Sequence, residues 1–416
     1  MGAVLALDDL LAYLDAAPSP WHAADQSARR LAAAGFTEVD EADSWSDVAV
    51  AGFVRRGGAL VAWRRPATSP SEIRVVGAHT DSPGLRIHPR PDQQVANWRL
   101  LGTEVYGGAL LNSWLDRDLG IAGRVVAADG ATTLVNVAEP VARVPQLAIH
   151  LDRDVNERGL VLDRHIGLRP VWGVDMGVPF ADWLAERAGA TGDVVAWDLV
   201  LYDVQKAAVL GADGSLLASG RLDNQVSCWA ATVALADTAP GDHLAVAALF
   251  DHEEVGSEST SGASGPLLEA VLERLLAAGG VGVDERYRLF ARSSCISADN
   301  AHAVHPNHPE RHDPAHAPLV NHGPVVKSNA NQRYATDAAT AVRFEVLCRE
   351  AGVPVQRFLS RNNMPCGTTI GPLTATRLGI PTVDVGVPQL SMHSARELCG
   401  TADPLHLARA LHHYWA

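Results

Sequence analysis

LAVAALFDHEEVGSEST (244–260) is the stretch that decides the fold. Its first seven residues are an uninterrupted apolar run of strand length, and Asp251, His252, Glu253 and Glu254 follow at once. A short apolar run bounded by polar residues reads as a buried strand when the segments on either side have helical patterns. Here residues 226–237 suit a helix on one side and 266–278 suit another on the other side. The alternation continues downstream, with 288–297 read as a strand, 337–351 as a helix, 353–359 as a strand, 368–378 as a helix and 380–387 as a strand. Upstream, SEIRVVGAHT (71–80) reads as a short buried strand ending in a polar turn, and residues 4–35 as helix broken near Pro18 and Pro20. Strands alternating with helices predict βαβ units and a mainly parallel sheet. Between about 92 and 210 the texture differs: TTLVNVAEPVARV (132–144) and DVVAWDLVLYDV (193–204) are β-rich, with Gly and Pro between such segments. The expected architecture is α/β, with one domain made of residues 1–91 and 211–416 and a β-rich domain, 92–210, inserted into it.

Composition narrows the function. With 416 residues, 47% hydrophobic and 20% charged, the chain is expected to be globular with a large core. No apolar stretch approaches the ~18 residues of a membrane span, so no membrane association is expected. Lys plus Arg is 34 and Asp plus Glu is 48, giving 34 − 48 = −14, and an acidic surface argues against a nucleic-acid partner. Cys228, Cys295, Cys348, Cys366 and Cys399 are odd in number and widely spaced, as free thiols in a reducing compartment would be. The N-terminal MGAVLALDDLLAYLDAA carries Asp8, Asp9 and Asp15 and reads as an amphipathic helix, not a signal peptide. A cytoplasmic protein is expected.

The feature that carries chemistry is a recurrence. Four apolar runs each lead into metal-competent side chains: RVVGA into His79 and Asp81, LAVAALF into Glu253 and Glu254, LFARSSCIS into Asp299, and IPTVDVGVP, a few residues on, into His393. Ligands of open parallel sheets bind beyond the carboxyl ends of the strands, so these clusters should share one sheet edge. Asp223, in SGRLDNQ, stands just before the helix at 226. His79, Asp223, Glu254, Asp299 and His393 offer two imidazoles and three carboxylates. If Asp223 bridges, each of two ions gains three protein ligands and keeps an open position, as catalytic sites do. Two divalent ions, three carboxylates and one hydroxide also balance in charge. The mixed nitrogen and oxygen donors suit zinc, and manganese or cobalt would be accepted by the same set. Such a pair of ions activates water and stabilises a developing oxyanion. Of the adjacent Glu253 and Glu254, an extended segment lets one ligate and leaves the other as general base. Asp81, two residues beyond His79 on a strand, faces the same side and is expected to accept the free ring N–H of His79.

GAHTDSPGLRIHP, SGRLDNQ, DHEEVGSEST, SADNAHAVHPN, KSNANQRYATD, PCGTTIGP and SMHSARE, in that order, closely resemble the signatures of the M18 metallopeptidases, the aspartyl aminopeptidase family. The resemblance runs from about residue 15 to the C-terminus. It implies a zinc-peptidase domain with an inserted β-rich dimerisation domain. It implies two zinc ions per subunit, His79 and Asp299 binding one, Glu254 and His393 the other and Asp223 both, with Asp81 orienting the site and Glu253 as the base. It implies a peptide substrate and a homododecamer built from dimers. His150, in QLAIHLDRDVN, resembles the family histidine that reaches a neighbouring subunit's site, and Lys327 the family lysine of the substrate pocket, where it would meet an acidic first residue. Arg333 and Tyr334 are expected to line that pocket. His305, in AHAVHPN, is expected at the substrate.

Rival readings have less support in the residues. No GxSxG elbow is present, Cys295 lies in an apolar strand context, and AAGGVGVD lacks the Lys-Ser/Thr of a phosphate loop. Another dinuclear hydrolase activity, such as removal of N-acyl groups, stays open, as does a shell-forming protein with a relic site, against which the complete ligand set argues. The Gly and Thr residues of CGTTIG (366–371) either meet substrate backbone or cap the following helix. His302, His305, His308, His312, His316 and His322 invite a metal-storage reading, which the prolines among them oppose.

Overall fold

The computed structural model describes residues 6–189 and 193–416, so residues 4 and 5 of the first expected helix lie outside the described residues. The centre is a nine-stranded sheet ordered Thr37–Glu38, Ala51–Arg56, Ala59–Arg64, Leu244–Phe250, Ile73–His79, Ser294–Ala298, Thr382–Gly386, Val325–Ser328 and Gln356–Leu359. From Leu244–Phe250 to Thr382–Gly386 the strands run parallel, with Phe250 opposite His79 and Ala298 opposite Val385. The outer pairings are mixed in direction.

Side-chain alternation splits the core into two layers. Val76, Ala78, Ala247 and Leu249 face the helices Leu7–Ala16, Pro20–Ala33, Leu222–Asp237 and Asp403–Trp415. Val75, Val246, Ala248 and Phe250 face Leu267–Ala278, Val283–Arg292 and Ile370–Leu378. Successive side chains of a strand point to opposite faces, so an all-apolar strand is what a sheet covered by helices on both sides requires. Pro20 opens its helix at the first position, where a missing N–H costs nothing, and Ser19 accepts the His22 N–H as the cap.

Two departures from the sequence reading stand out. Residues 288–297 are not one strand: Val283–Arg292 is a helix whose Leu289 and Phe290 face the core, and the strand is Ser294–Ala298. The LF pair seeded the strand reading, yet it belongs to the buried stripe of an amphipathic helix. The β-rich segment forms an antiparallel six-stranded sheet, ordered Thr132–Ala142, Leu119–Ala127, Val194–Asp203, Gly84–Val95, Trp98–Tyr106 and Val171–Val174. It starts at Gly84, ahead of residue 92, because the chain passes from the polar turn at 80–83 directly into a sheet strand. It has its own core, including Leu85, Leu101, Ile121, Phe180 and Leu199. A further five-stranded sheet of short strands, Ala208–Leu210, Leu216–Ser219, Glu397–Gly400, Pro388–Leu390 and Ala301–His302, gathers the segments flanking Asp223, Asp299 and His393. Among the described residues no helix is long and apolar enough to cross a membrane.

Candidate active site

The parallel strands deliver the expected side chains to one edge. His79 is the last residue of its strand, and Asp299 and the Glu253–Val255 turn begin just beyond theirs. Nε2 of His79 lies 3.4 Å from Asp223 Oδ1 and 3.4 Å from Asp299 Oδ1. Nε2 of His393 lies 3.5 Å from Asp223 Oδ2 and 3.3 Å from Glu254 Oε1. Ligand atoms ~2 Å from one ion at tetrahedral angles sit ~3.3 Å apart, so both triplets have the edge lengths of a zinc coordination shell. Asp223 gives one oxygen to each. Asp223 Oδ1 and Glu254 Oε1 are buried without a hydrogen-bond donor, a costly condition that a cation would relieve. His79, Asp223 and Asp299, Asp223, Glu254 and His393, and His79, Glu253 and Glu254 are the groups of potential metal ligands found among the described residues. None includes a histidine of the 302–322 segment.

Electrostatics give the same picture of a cation-seeking site. Although burial alone opposes it, the surrounding carboxylates, Asp223 first, hold His393 protonated up to about 11 and His79 well above its ordinary value. Although burial opposes it, the adjacent His393 and His79 imidazoles hold Asp223 far below the usual carboxylate range. Burial, then the charges of Asp299, Glu254 and Asp81, pushes Glu253 up to about 8. Glu254 is pushed up to about 7, by burial first. Carboxylates clustered this closely favour positive charge among them, which is the behaviour of a site built for cations.

The rings are oriented by backbone. Nδ1 of His79 is 3.0 Å from the Asp81 carbonyl, and Nδ1 of His393 is 3.1 Å from the Gly108 carbonyl, so in each ring the N–H donates there and Nε2 faces the cluster. Asp81 thus acts otherwise than strand geometry suggested. The strand stops at His79, and the Asp81 carboxylate, 3.5 Å from that ring, instead accepts the Glu253 N–H at 3.0 Å, the Glu254 N–H at 3.1 Å and the Tyr106 hydroxyl at 2.7 Å. Glu253 and Glu254 are not on an extended segment either: they open a tight 3-10 turn after His252, whose φ is 63°. That turn brings both carboxylates to the cluster, and of the two it is Glu254 that pairs with His393.

The expected substrate residues are more scattered. Lys327 is buried, and its ammonium donates to the Asp299 carbonyl at 2.7 Å and the Asn300 carbonyl at 3.2 Å, with Asp299 Oδ2 at 3.4 Å. It also lies 5.1 Å from the centre of the Tyr334 ring, itself buried. Tyr334, His302, Arg311, His312 and Arg361 line a cavity on that side. Arg333 is exposed. His305 is half-buried and accepts the Asn307 N–H at 3.2 Å. His150 lies on an exposed arm of the inserted sheet, beside Leu151 at 75% and Val161 at 91% exposure. In CGTTIG, Thr369 caps the helix Ile370–Leu378 by accepting the Gly371 N–H and donates to Asp384. Sequence reasoning assigned nothing to Tyr106, Gly108 or Glu397, although Glu397 ends the quoted SMHSARE.

The profile of the family described as "Aminopeptidase I zinc metalloprotease (M18)" matches residues 13–415. A Streptomyces coelicolor protein named "Probable M18 family aminopeptidase 2" is 52% identical over 414 residues, covering 97% of this chain and 96% of its own. A chain of the cryo-EM Ape4 and Nbr1 complex superposes with a TM-score of 0.94 at 32% identity, covering 98% of this chain and 85% of that one. The mApe1 dodecamer of Saccharomyces cerevisiae superposes at 0.86 with 28% identity, covering 98% and 95%.

Proposed function

The chain belongs to the M18 family of zinc metalloproteases and is a metalloaminopeptidase, and from that premise we propose that it holds two zinc ions and removes acidic N-terminal residues from peptides. His79, Asp299 and Asp223 would hold one ion and His393, Glu254 and Asp223 the other. What carries this reading is a set of four nitrogen–oxygen separations of 3.3–3.5 Å, two of which run from the two imidazoles to the two oxygens of Asp223. Bound divalent ions make water acidic and polarise a carbonyl oxygen. The chain's own residues do the rest. Glu253, not paired with a ligand imidazole, takes the proton of the attacking water and returns it to the departing amine. Asp81 holds that turn through two backbone N–H groups, so the base stays in place as its charge changes. The test is a panel of aminoacyl chromogenic substrates, each with a free or an acetylated α-amine, on zinc-reconstituted and metal-stripped enzyme. Hydrolysis is expected only with free amine and only with metal; turnover of the acetylated set would move the activity to deacylation.

The acidic preference rests on the family resemblance and on the cations grouped around Tyr334. A chain of net charge −14 needs fixed cations to bind a carboxylate side chain. Lys327→Ala is expected to lower kcat/KM on Glu and Asp substrates more than on Leu substrates. Equal losses on all three would mean that the ammonium serves only Asp299 and Asn300, the partners it meets within the chain.

Assembly is proposed on the same footing. The exposed apolar arm around His150, with Leu147, Ile149, Leu151, Val161 and Ile166, has the character of an interface core. A second copy covering it, as the first step of a dodecamer, would bring His150 to the neighbour's substrate. The five thiols, all free, fit a cytoplasmic setting.

A further inference from the structure

We propose that Glu397 is a positioning residue that sets the geometry of the ion site formed by Asp223, Glu254 and His393, an inference that rests on the dinuclear reading above. Glu397 is 1% exposed, and among the described residues it forms no ion pair with a Lys, Arg or His side chain. Its Oε2 accepts the Asp223 N–H at 3.0 Å and its Oε1 accepts the His393 N–H at 2.7 Å. These two N–H groups belong to residues that regular structure does not hold. Asp223 has φ −83° and ψ 104°, outside the helical region at the start of its helix, and His393 has φ 67° in the left-handed region. The first N–H groups of a helix have no intrahelical partner, and a buried N–H left alone is costly. One carboxylate satisfies both and fixes the distance between the two ligand segments.

The position of Glu397 is itself fixed. It pairs with Ser219 across antiparallel strands, just ahead of the segment carrying Asp223. Gln389 approaches Oε1 at 3.5 Å, and Gln389 Oε1 accepts from Asn300, which also donates to the Leu222 carbonyl at 2.8 Å. The chain of contacts thus links the neighbours of Asp223, Asp299 and His393. The arrangement repeats the one at Asp81, whose carboxylate gathers the N–H groups of Glu253 and Glu254. Two buried acids, neither in a ligand triplet, each tie together two residues of the cluster.

The experiment titrates metal-free full-length protein with cobalt(II), reading its visible absorption, and measures bound zinc by elemental analysis. Wild type is expected to take two equivalents; if it takes none, the dinuclear reading itself fails, whatever the variants do. Glu397→Gln keeps the size but turns one acceptor into a donor facing an N–H. It is expected to keep the first equivalent and to bind the second about 10- to 100-fold more weakly. The cobalt spectrum of the second equivalent should change, and excess zinc should recover activity. Glu397→Asp keeps the charge but is a methylene short, and the same selective loss is expected. Two equivalents bound with wild-type affinity and spectrum in either folded variant would overturn the proposal. So would loss of the fold in both, since Glu397 would then be a structural residue only.

Discussion

Replacing Glu253 by Gln should lower kcat by at least ~10² while leaving the fold and the bound metal unchanged. The amide is isosteric but neither accepts nor returns a proton. The substitution does not disturb the turn, because the tie to Asp81 runs through the Glu253 backbone N–H and not its side chain. It leaves the proposed ligand of the turn in place too, since Glu254, not Glu253, pairs with His393. Burial and neighbouring negative charge push Glu253 up to about 8, in the direction that suits a group exchanging a proton near neutral pH. The check is steady-state kinetics beside elemental analysis and a melting curve. Near-normal turnover would assign the proton transfer elsewhere; a loss of metal along with activity would make Glu253 a ligand.

Much of this site was legible because one topological rule converts sequence position into place. A buried strand of a parallel sheet has a carboxyl end, and His79, Glu253, Glu254 and Asp299 all stand within a few residues of such ends. The two covered faces of the sheet were legible from the unbroken apolar run 244–250. What was not legible depends on contacts that no periodicity encodes. Asp81 obeys the strand alternation only if the strand continues, and it stops two residues earlier. Lys327 reads as a pocket cation open to substrate because lysine is seldom buried; here two carbonyls and a carboxylate replace its water. The five-stranded sheet is built from strands of two to four residues, too short to show a pattern, and with it the setting of Glu397 was hidden. The early start of the inserted sheet at Gly84 was masked by a motif that runs across the boundary.

Asp223→Ala should be the most damaging single substitution, because it would take a donor from both proposed ion sites at once. Oδ1 stands with His79 and Asp299 and Oδ2 with His393 and Glu254, so its loss leaves two protein ligands on each side, fewer than the three of a catalytic zinc site. If the ions supply about 4 kcal/mol of transition-state stabilisation, activity falls on the order of 10³-fold or more, at 1.36 kcal/mol per decade. Stability gives a separate readout. A ligand at 100 times its dissociation constant stabilises the native state by about 2.7 kcal/mol, so zinc should raise the melting temperature of stripped wild-type protein and leave that of the variant nearly unmoved. The two readouts divide the outcomes. Lost activity with a full zinc-induced shift would mean that both ions still bind and that Asp223 tunes them without bridging. Lost activity with no shift is the result required of a carboxylate on which both sites depend. Retained activity would remove the shared position of Asp223, and with it the reason for its two oxygens to face two different histidines.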